Sequence, residues 1–172
     1  MKYFILEQGD AYDRNPDIKD WYGKIDLHSL RLKATESGQR FMFRVSATEN
    51  TFYPDIMMSP VFMVSGAVRN VIEMYGKRVF YKEVFLLNQE RNDGHIYYIP
   101  FLPVVDCLEC RESRESMRGE RKREYAVDEK KLWNRSIVEA DIRDRQYIVV
   151  SLDFAESLLR RGLTGIGLRE TV

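Results

Sequence analysis

Two stretches of this chain carry the same order of apolar runs, and such a repeat limits what the chain can fold into. Val61 to Val84 reads VFMVSGAVRNVIEMYGKRVFYKEV, and Tyr147 to Val172 reads YIVVSLDFAESLLRRGLTGIGLRETV. Each has a short apolar run ending in Val-Ser, an amphipathic stretch closed by glycine, and a second run ending in a glutamate at or just before a final valine. Ser65 aligns with Ser151 and Gly76 with Gly162, and Val84 meets Val172 once the first copy takes a gap after Gly76. The pattern predicts a strand-helix-strand unit used twice. One such unit cannot bury both its faces alone, so the two copies point to a shared core.

The local chemistry supports this. Val61 to Val64 reads as a strand, and Ser65 stands where a hydroxyl can accept from the first unpaired amides of a helix. Val68, Val71, Ile72 and Tyr75 follow at helical spacing, with Gly76 placed to end the helix in a left-handed conformation. In the second copy Ser151 is the cap, Phe154, Ala155, Leu158 and Leu159 form the inward stripe, and Gly162 is the stop. Strands paired through such a crossover run parallel if they are adjacent.

The rest of the chain reads mostly as strands. Lys2 to Glu7 is aromatic and aliphatic, and Arg40 to Val45 alternates with Phe41, Phe43 and Val45 on one side. Ile25 to Leu32 fits either a short strand or a bent connection. Arg78 to Leu87 and His95 to Phe101 flank an Asn-Asp-Gly sequence, which predicts a hairpin. Pro100 and Pro103 interrupt the second run, after which Val104 and Val105 resume as an edge strand. From 109 to 135 charges of both signs crowd together and apolar residues nearly vanish, which predicts a solvated loop or mobile helix. Trp133, Ile137, Val138 and Ile142 mark the return to packed structure. The expected fold class is α+β, a mixed and mainly antiparallel sheet with two packed helices from the repeated unit. Residues 1–172 are expected to form one domain with a charged loop or insertion near 109–135.

Composition excludes several function classes. The 27 acidic and 27 basic side chains cancel, so no global field draws the chain to phosphate and nucleic acid is not the expected partner. No stretch approaches the roughly 20 apolar residues of a membrane span, and the start MKYFILEQGD is too short in apolar residues for a signal peptide. A cytoplasmic location is expected. Cys107 and Cys110 have the gap of half a zinc site, yet His28 and His95 are the chain's two histidines and lack the usual paired spacing. No metal or cofactor is expected. There is no G-x-S-x-G elbow, and Gly162, Gly165 and Gly167 follow a helix where a phosphate loop would precede one. The chain does not read as an enzyme.

The ending, Val-Ser, Phe154, Leu158, Leu159 and then Gly162-Leu163-Thr164-Gly165-Ile166, resembles that of a family of immunity proteins, the antitoxin-like proteins encoded beside bacterial polymorphic toxins. The segment Val104-Val105-Asp106-Cys107-Leu108 is similar to that family's centre, and MKYFILE is similar to its opening. The resemblance implies a protein that binds and neutralises a cognate toxin domain by stoichiometric, non-catalytic inhibition. A nucleic-acid-binding or regulatory module and an unrecognised small enzyme are the alternatives, and a homo-oligomer is compatible with the sequence. The expected toxin-binding surface is the loop from Asp10 to Lys24, where Tyr12, Asp13, Asp17, Asp20, Trp21 and Tyr22 combine acidic groups with aromatic anchors.

Overall fold

Hydrophobic alternation builds the strands that dominate the regular structure of this chain, and the repeat supplies the two longer helices. The computed structural model describes residues 1–9, 14–32, 40–75, 79–113, 122–142 and 145–172. In chain order the elements are β1 (Tyr3–Gln8), β2 (Asp17–Ile18), α1 (Leu27–Leu32), β3 (Arg40–Ser46), β4 (Ile56–Met57), β5 (Met63–Val64), α2 (Gly66–Tyr75), β6 (Phe80–Asn88) and β7 (Asp93–Phe101). There follow β8 (Leu108–Ser113), β9 (Lys122–Val127), a 3-10 turn (Glu129–Leu132), β10 (Ile137–Ile142), β11 (Arg145–Ser151), α3 (Leu152–Arg160) and β12 (Ile166–Glu170). The fold is α+β, and its ladders are antiparallel apart from β3 beside β6 and a single bridge between Val104 and Glu139. Among the described residues no helix is long and apolar enough to cross a membrane.

The strands form a four-stranded sheet ordered β10-β11-β1-β12, a six-stranded sheet ordered β2-β3-β6-β7-β5-β4, and the two-stranded pair β8-β9. The repeat is visible in this order. β5, α2 and β6 make one crossover and β11, α3 and β12 make the other, but the strands of each crossover are not neighbours. An antiparallel strand lies between them, β7 in the first and β1 in the second. The strands of each crossover are therefore not adjacent, and each unit is a split crossover. The equivalence extends one strand outward, since β4 pairs antiparallel with β5 as β10 does with β11. The path β4-β5-α2-β6-β7 thus matches β10-β11-α3-β12-β1, with the last strand supplied by opposite routes along the chain.

The two copies meet across their helices. α2 buries Val68, Val71 and Ile72, α3 buries Phe154, Ala155 and Leu158, and both sets join one cluster with Leu6, Ile56, Val64, Ile148 and Val150 from the two larger sheets. Each large side chain buried there contributes about 1.5–3 kcal/mol. Leu159, expected inside, is 53% exposed. At about 100° per residue it falls some 40° beyond Ala155 and off the buried arc.

The caps follow their residue types. Ser151 Oγ accepts from Phe154 N–H at 3.3 Å, and Ser65 Oγ accepts from Val68 N–H at 3.4 Å. Gly162, at φ +65°, donates to Leu159 O at 3.0 Å while Leu163 N–H reaches Leu158 O at 3.4 Å, a Schellman ending. Gly76, the expected stop of the first helix, lies outside the described residues.

Two further clusters cover the outer sheet faces. Behind the six-stranded sheet, Ile18, Phe43, Val45, Met63, Val84 and Leu86 pack together, with Trp21 and Ile25 against them. Behind the four-stranded sheet, β8 and β9 contribute Leu108 and Tyr125 to a core with Tyr3, Ile5, Val138 and Val149. The charged stretch expected as a loop or helix is strand on both sides of 114–121, which lie outside the described residues. A strand needs an apolar residue only at every second position, so Leu108 and Cys110 facing Val127 and Tyr125 suffice to seat a hairpin that looks uniformly charged. The stretch Ile25 to Leu32, expected as a short strand or a bent connection, instead ends in the helix α1, which is started by Asp26 just before it, accepting from Ser29 Oγ at 2.6 Å and from His28 N–H at 3.1 Å.

Candidate functional site

The seam between the two copies is polar and fully engaged. Asp55 Oδ1 accepts from Ser65 Oγ at 2.7 Å, and its Oδ2 accepts from both the N–H and the hydroxyl of Thr164 at 2.8 Å. Gln8 sends Nε2 to Ile56 O at 3.1 Å and takes Met58 N–H on Oε1 at 3.0 Å, so its amide pairs with β4 much as a strand would. These groups hold the sheets together and leave their hydrogen-bonding capacity inside the molecule.

The N-terminal loop is partly assembled as the sequence suggested. Tyr12 and Asp13 lie outside the described residues. Asp17 sits in β2 and pairs with Lys19. Asp20 adopts φ +59° and receives Arg44 Nε at 2.7 Å and Arg44 Nη2 at 2.6 Å on the same carboxylate oxygen. Trp21 meets Tyr22 edge-on at 5.9 Å, but one side of the indole packs on the cluster behind the six-stranded sheet. Tyr22 projects outward at 89% exposure. The structure therefore gathers Asp20, Trp21 and Tyr22 into one turn while Lys19 and Arg44 balance the two described carboxylates. An acidic surface made to imitate nucleic acid would leave such charges unbalanced.

A second surface lies at the end of the charged stretch 109–135, where the sequence reading expected Trp133 to pack inward. Asp128 accepts from Lys130 N–H at 3.1 Å and starts the 3-10 turn, Leu132 is driven fully into the core, and Trp133 emerges 83% exposed. Trp133 was expected to mark the return to packed structure, and the turn's geometry explains the reversal. At about 120° per residue only one of two neighbouring large side chains can face inward, and Leu132 takes that place. Asn134 then adopts φ +58° and Arg135 N–H closes on Leu132 O at 2.9 Å. The Leu-Trp pair followed by Asn is the one sequence signal for this arrangement.

Concave surface lies on both sides of the indole. One side is lined by Tyr75, Val79, Pro103, Arg135 and Ile137, the other by Met1, Tyr3, Glu129 and Lys130. The Met1 ammonium holds Glu129 at 2.7 Å, and Lys131 reaches Asp106 at 3.4 Å. Among the described residues no carboxylate lies within 4.0 Å of Lys130 or Arg135. The exposed aromatic thus stands beside two cations with no ion-pair partner among those residues.

The chemistry-bearing side chains are placed as follows. Burial pushes the Cys107 thiol up, which disfavours the reactive thiolate, and both cysteines are free. His95 stacks on Tyr53 with centroids 3.6 Å apart and lies 3.2 Å from Asp93. Among the described residues no group of three or more His, Cys, Asp or Glu is placed to hold a metal ion. Compared with known proteins, the chain matches no family model, and neither the curated proteins nor the solved structures gave a significant match.

Proposed function

We propose that this chain acts by binding another protein, as an immunity protein that neutralises a cognate toxin domain in the cytoplasm without performing chemistry itself. The observation that carries this reading is Trp133. A large aromatic held outward by a buried Leu132, with concave surface to either side, has the form of an interface anchor, since tryptophan and its pocket commonly supply most of the binding energy. Lys130 and Arg135 beside it suit a partner whose pocket has an acidic rim, and such complementarity speeds capture.

The segments that carry the family resemblance support a division of labour. MKYFILE supplies β1, the C-terminal motif supplies α3 and β12, and Val104 to Leu108 runs from the edge of β10 into the core behind that sheet. All three build the four-stranded sheet and its packing. Partner recognition then belongs to the surfaces outside them, with Trp133 as the first anchor and Tyr22 on a separate turn as the second.

The direct test is rescue of cells expressing the toxin domain encoded beside this chain. Wild-type protein is expected to restore growth and to form a one-to-one complex, and Trp133→Ala is expected to weaken that complex at least about 30-fold, as loss of an anchor worth about 2 kcal/mol does. No rescue by soluble wild-type protein would sink the function. Rescue with undiminished affinity in the variant would move the interface away from Trp133.

A further inference from the structure

Four strands form the edges of the two larger sheets, and three of those edges are blunted. β2 and β4 are two residues long, and β4 is further engaged by the Gln8 amide. β10 is lined by the segment 103–105, through Glu139 N–H to Pro103 O at 2.9 Å and Val105 N–H to Glu139 O at 2.8 Å. β12 is different. It pairs with β1 on one side, and among the described residues no strand runs beside Ile166–Glu170 on its other side; β9 touches the chain only past the strand's end, where Val172 N–H donates to Tyr125 O at 2.9 Å. A bare edge of this length is a template for another strand, which is why proteins usually shorten or cover such edges.

The groups on that edge can be named. Gly9 N–H donates to Gly165 O at 3.0 Å, so in the antiparallel register Glu7/Gly167 and Ile5/Arg169 exchange hydrogen bonds, while Gln8/Ile166, Leu6/Leu168 and Phe4/Glu170 do not. Ile166, Leu168 and Glu170 therefore turn their N–H and C=O groups away from β1. The same position in the other copy is occupied: β3 runs along the outer side of β6, the counterpart of β12. The half-fold accepts a strand there, a parallel one in the case of β3, and among the described residues only one copy finds it within the chain.

We propose that the edge of β12 is filled by β12 of a second copy of this chain, joining two four-stranded sheets across a two-fold axis. The sequence Ile166-Gly167-Leu168-Arg169-Glu170 suits antiparallel pairing with itself about Leu168. Leu168 lies opposite Leu168 of the other copy, and Ile166 lies opposite Glu170. The three outward-facing residues on each strand then exchange about six backbone hydrogen bonds. Arg169 falls opposite Gly167, where the missing side chain leaves room for the guanidinium. The pairing covers the partly exposed Ile166 and Leu168 that pack on the shared core. With acidic and basic side chains equal in number, two copies meet without net repulsion. Closed two-fold dimers are also the commonest homo-oligomer. This inference stands apart from toxin binding, because it concerns a different surface and needs no partner.

The test is sedimentation of purified full-length protein together with amide hydrogen exchange. Wild type is expected to move from the 20.4 kDa chain toward twice that mass as concentration rises through roughly the micromolar range, where Kd for a small edge contact falls. Over the same range exchange at Ile166, Leu168 and Glu170 should slow at least tenfold. Glu170→Pro removes one outward N–H without touching the bonds to β1, so it should sediment as a monomer with its near-ultraviolet circular dichroism intact. Glu170→Ala keeps the N–H and should remain dimeric. A wild type that is monomeric throughout, with fast exchange at the three outward amides beside slow exchange at Gly167 and Arg169, overturns the proposal. A dimer unaffected by Glu170→Pro overturns it equally.

Discussion

In the copy built from β4, β5, α2, β6 and β7, the strand that splits the crossover follows at once through a hairpin, with Phe80 opposite Phe101 and Asn88 opposite Asp93. In the copy built from β10, β11, α3 and β12, the splitting strand is β1, which pairs Tyr3 with Ser151 and Phe4 with Glu170. The topology is one and the routes are two. A sheet is satisfied by which strands lie side by side, so a strand brought from the far end of the chain serves as well as one brought by a turn. Loop closure grows only slowly with length, and the longer route therefore adds little to the free energy of the folded state. The copies also differ at their margins. β3 covers β6 and the segment around Trp21 covers the sheet behind it, whereas β12 is left bare and the β8-β9 hairpin covers the sheet behind that.

The largest effect that probes this comparison lies in the core the copies share. Phe154→Ala is expected to cost about 3–5 kcal/mol and Ile72→Ala about 2–5 kcal/mol in urea denaturation. In each variant circular dichroism and tryptophan fluorescence should report one coincident transition. Two separated transitions would show that the copies unfold independently and that the joint cluster does not bind them into one unit.

Gly165→Ala tests the seam. At φ +78° any side chain is strained, and a Cβ there would stand 2.5 Å from Pro54 Cβ and 2.7 Å from Ile56 O. A loss of at least about 2 kcal/mol is expected from the strain and the clash, read from the same denaturation curves. A near-neutral outcome would mean that β4 and the turn before β12 can separate without consequence.

The caps give a smaller and sharper distinction. Ser151→Ala should cost about 1 kcal/mol through the lost bond to Phe154 N–H. Ser65 also donates to Asp55, so Ser65→Ala and Asp55→Ala should couple by about 0.5–3 kcal/mol in a double-mutant cycle, while Ser151→Ala and Asp55→Ala should add. Equal coupling for both serines would erase the difference between the copies. Smallest of all, Trp133→Ala should change stability by no more than about 0.5 kcal/mol, since its side chain is outside the core. Trp21→Ala should exceed that, because it packs on the cluster behind β3 and β6.

Much of the local structure was legible. Val68, Val71 and Ile72 with Ser65, and Phe154, Ala155 and Leu158 with Ser151, announced both helices because the 3.6-residue period and a capping hydroxyl are short-range signals. Asn92 at φ +50° completes a hairpin that the Asn-Asp-Gly sequence indicated. The candidate surface was less legible. Asp20 and Trp21 are neighbours in sequence and share one turn, but the neutralisation of Asp20 by Arg44 and the packing of Trp21 on the core depend on β3, more than twenty residues away in sequence. Trp133 looked like core because exposure of a tryptophan depends on what its neighbour can reach, and Leu132 reached the interior first.

What the amino-acid order determined alone is the pair of capped amphipathic helices, the strands on either side of them and the hairpin that follows the first, because these rest on torsional preference and on the period of apolar residues. What only the tertiary structure decided is which strand enters each crossover, which face of a charged hairpin is buried, which aromatic faces outward and which sheet edge stays open. Those outcomes are competitions between distant segments for the same hydrogen-bonding edge or the same core volume. A local pattern carries no record of its competitors.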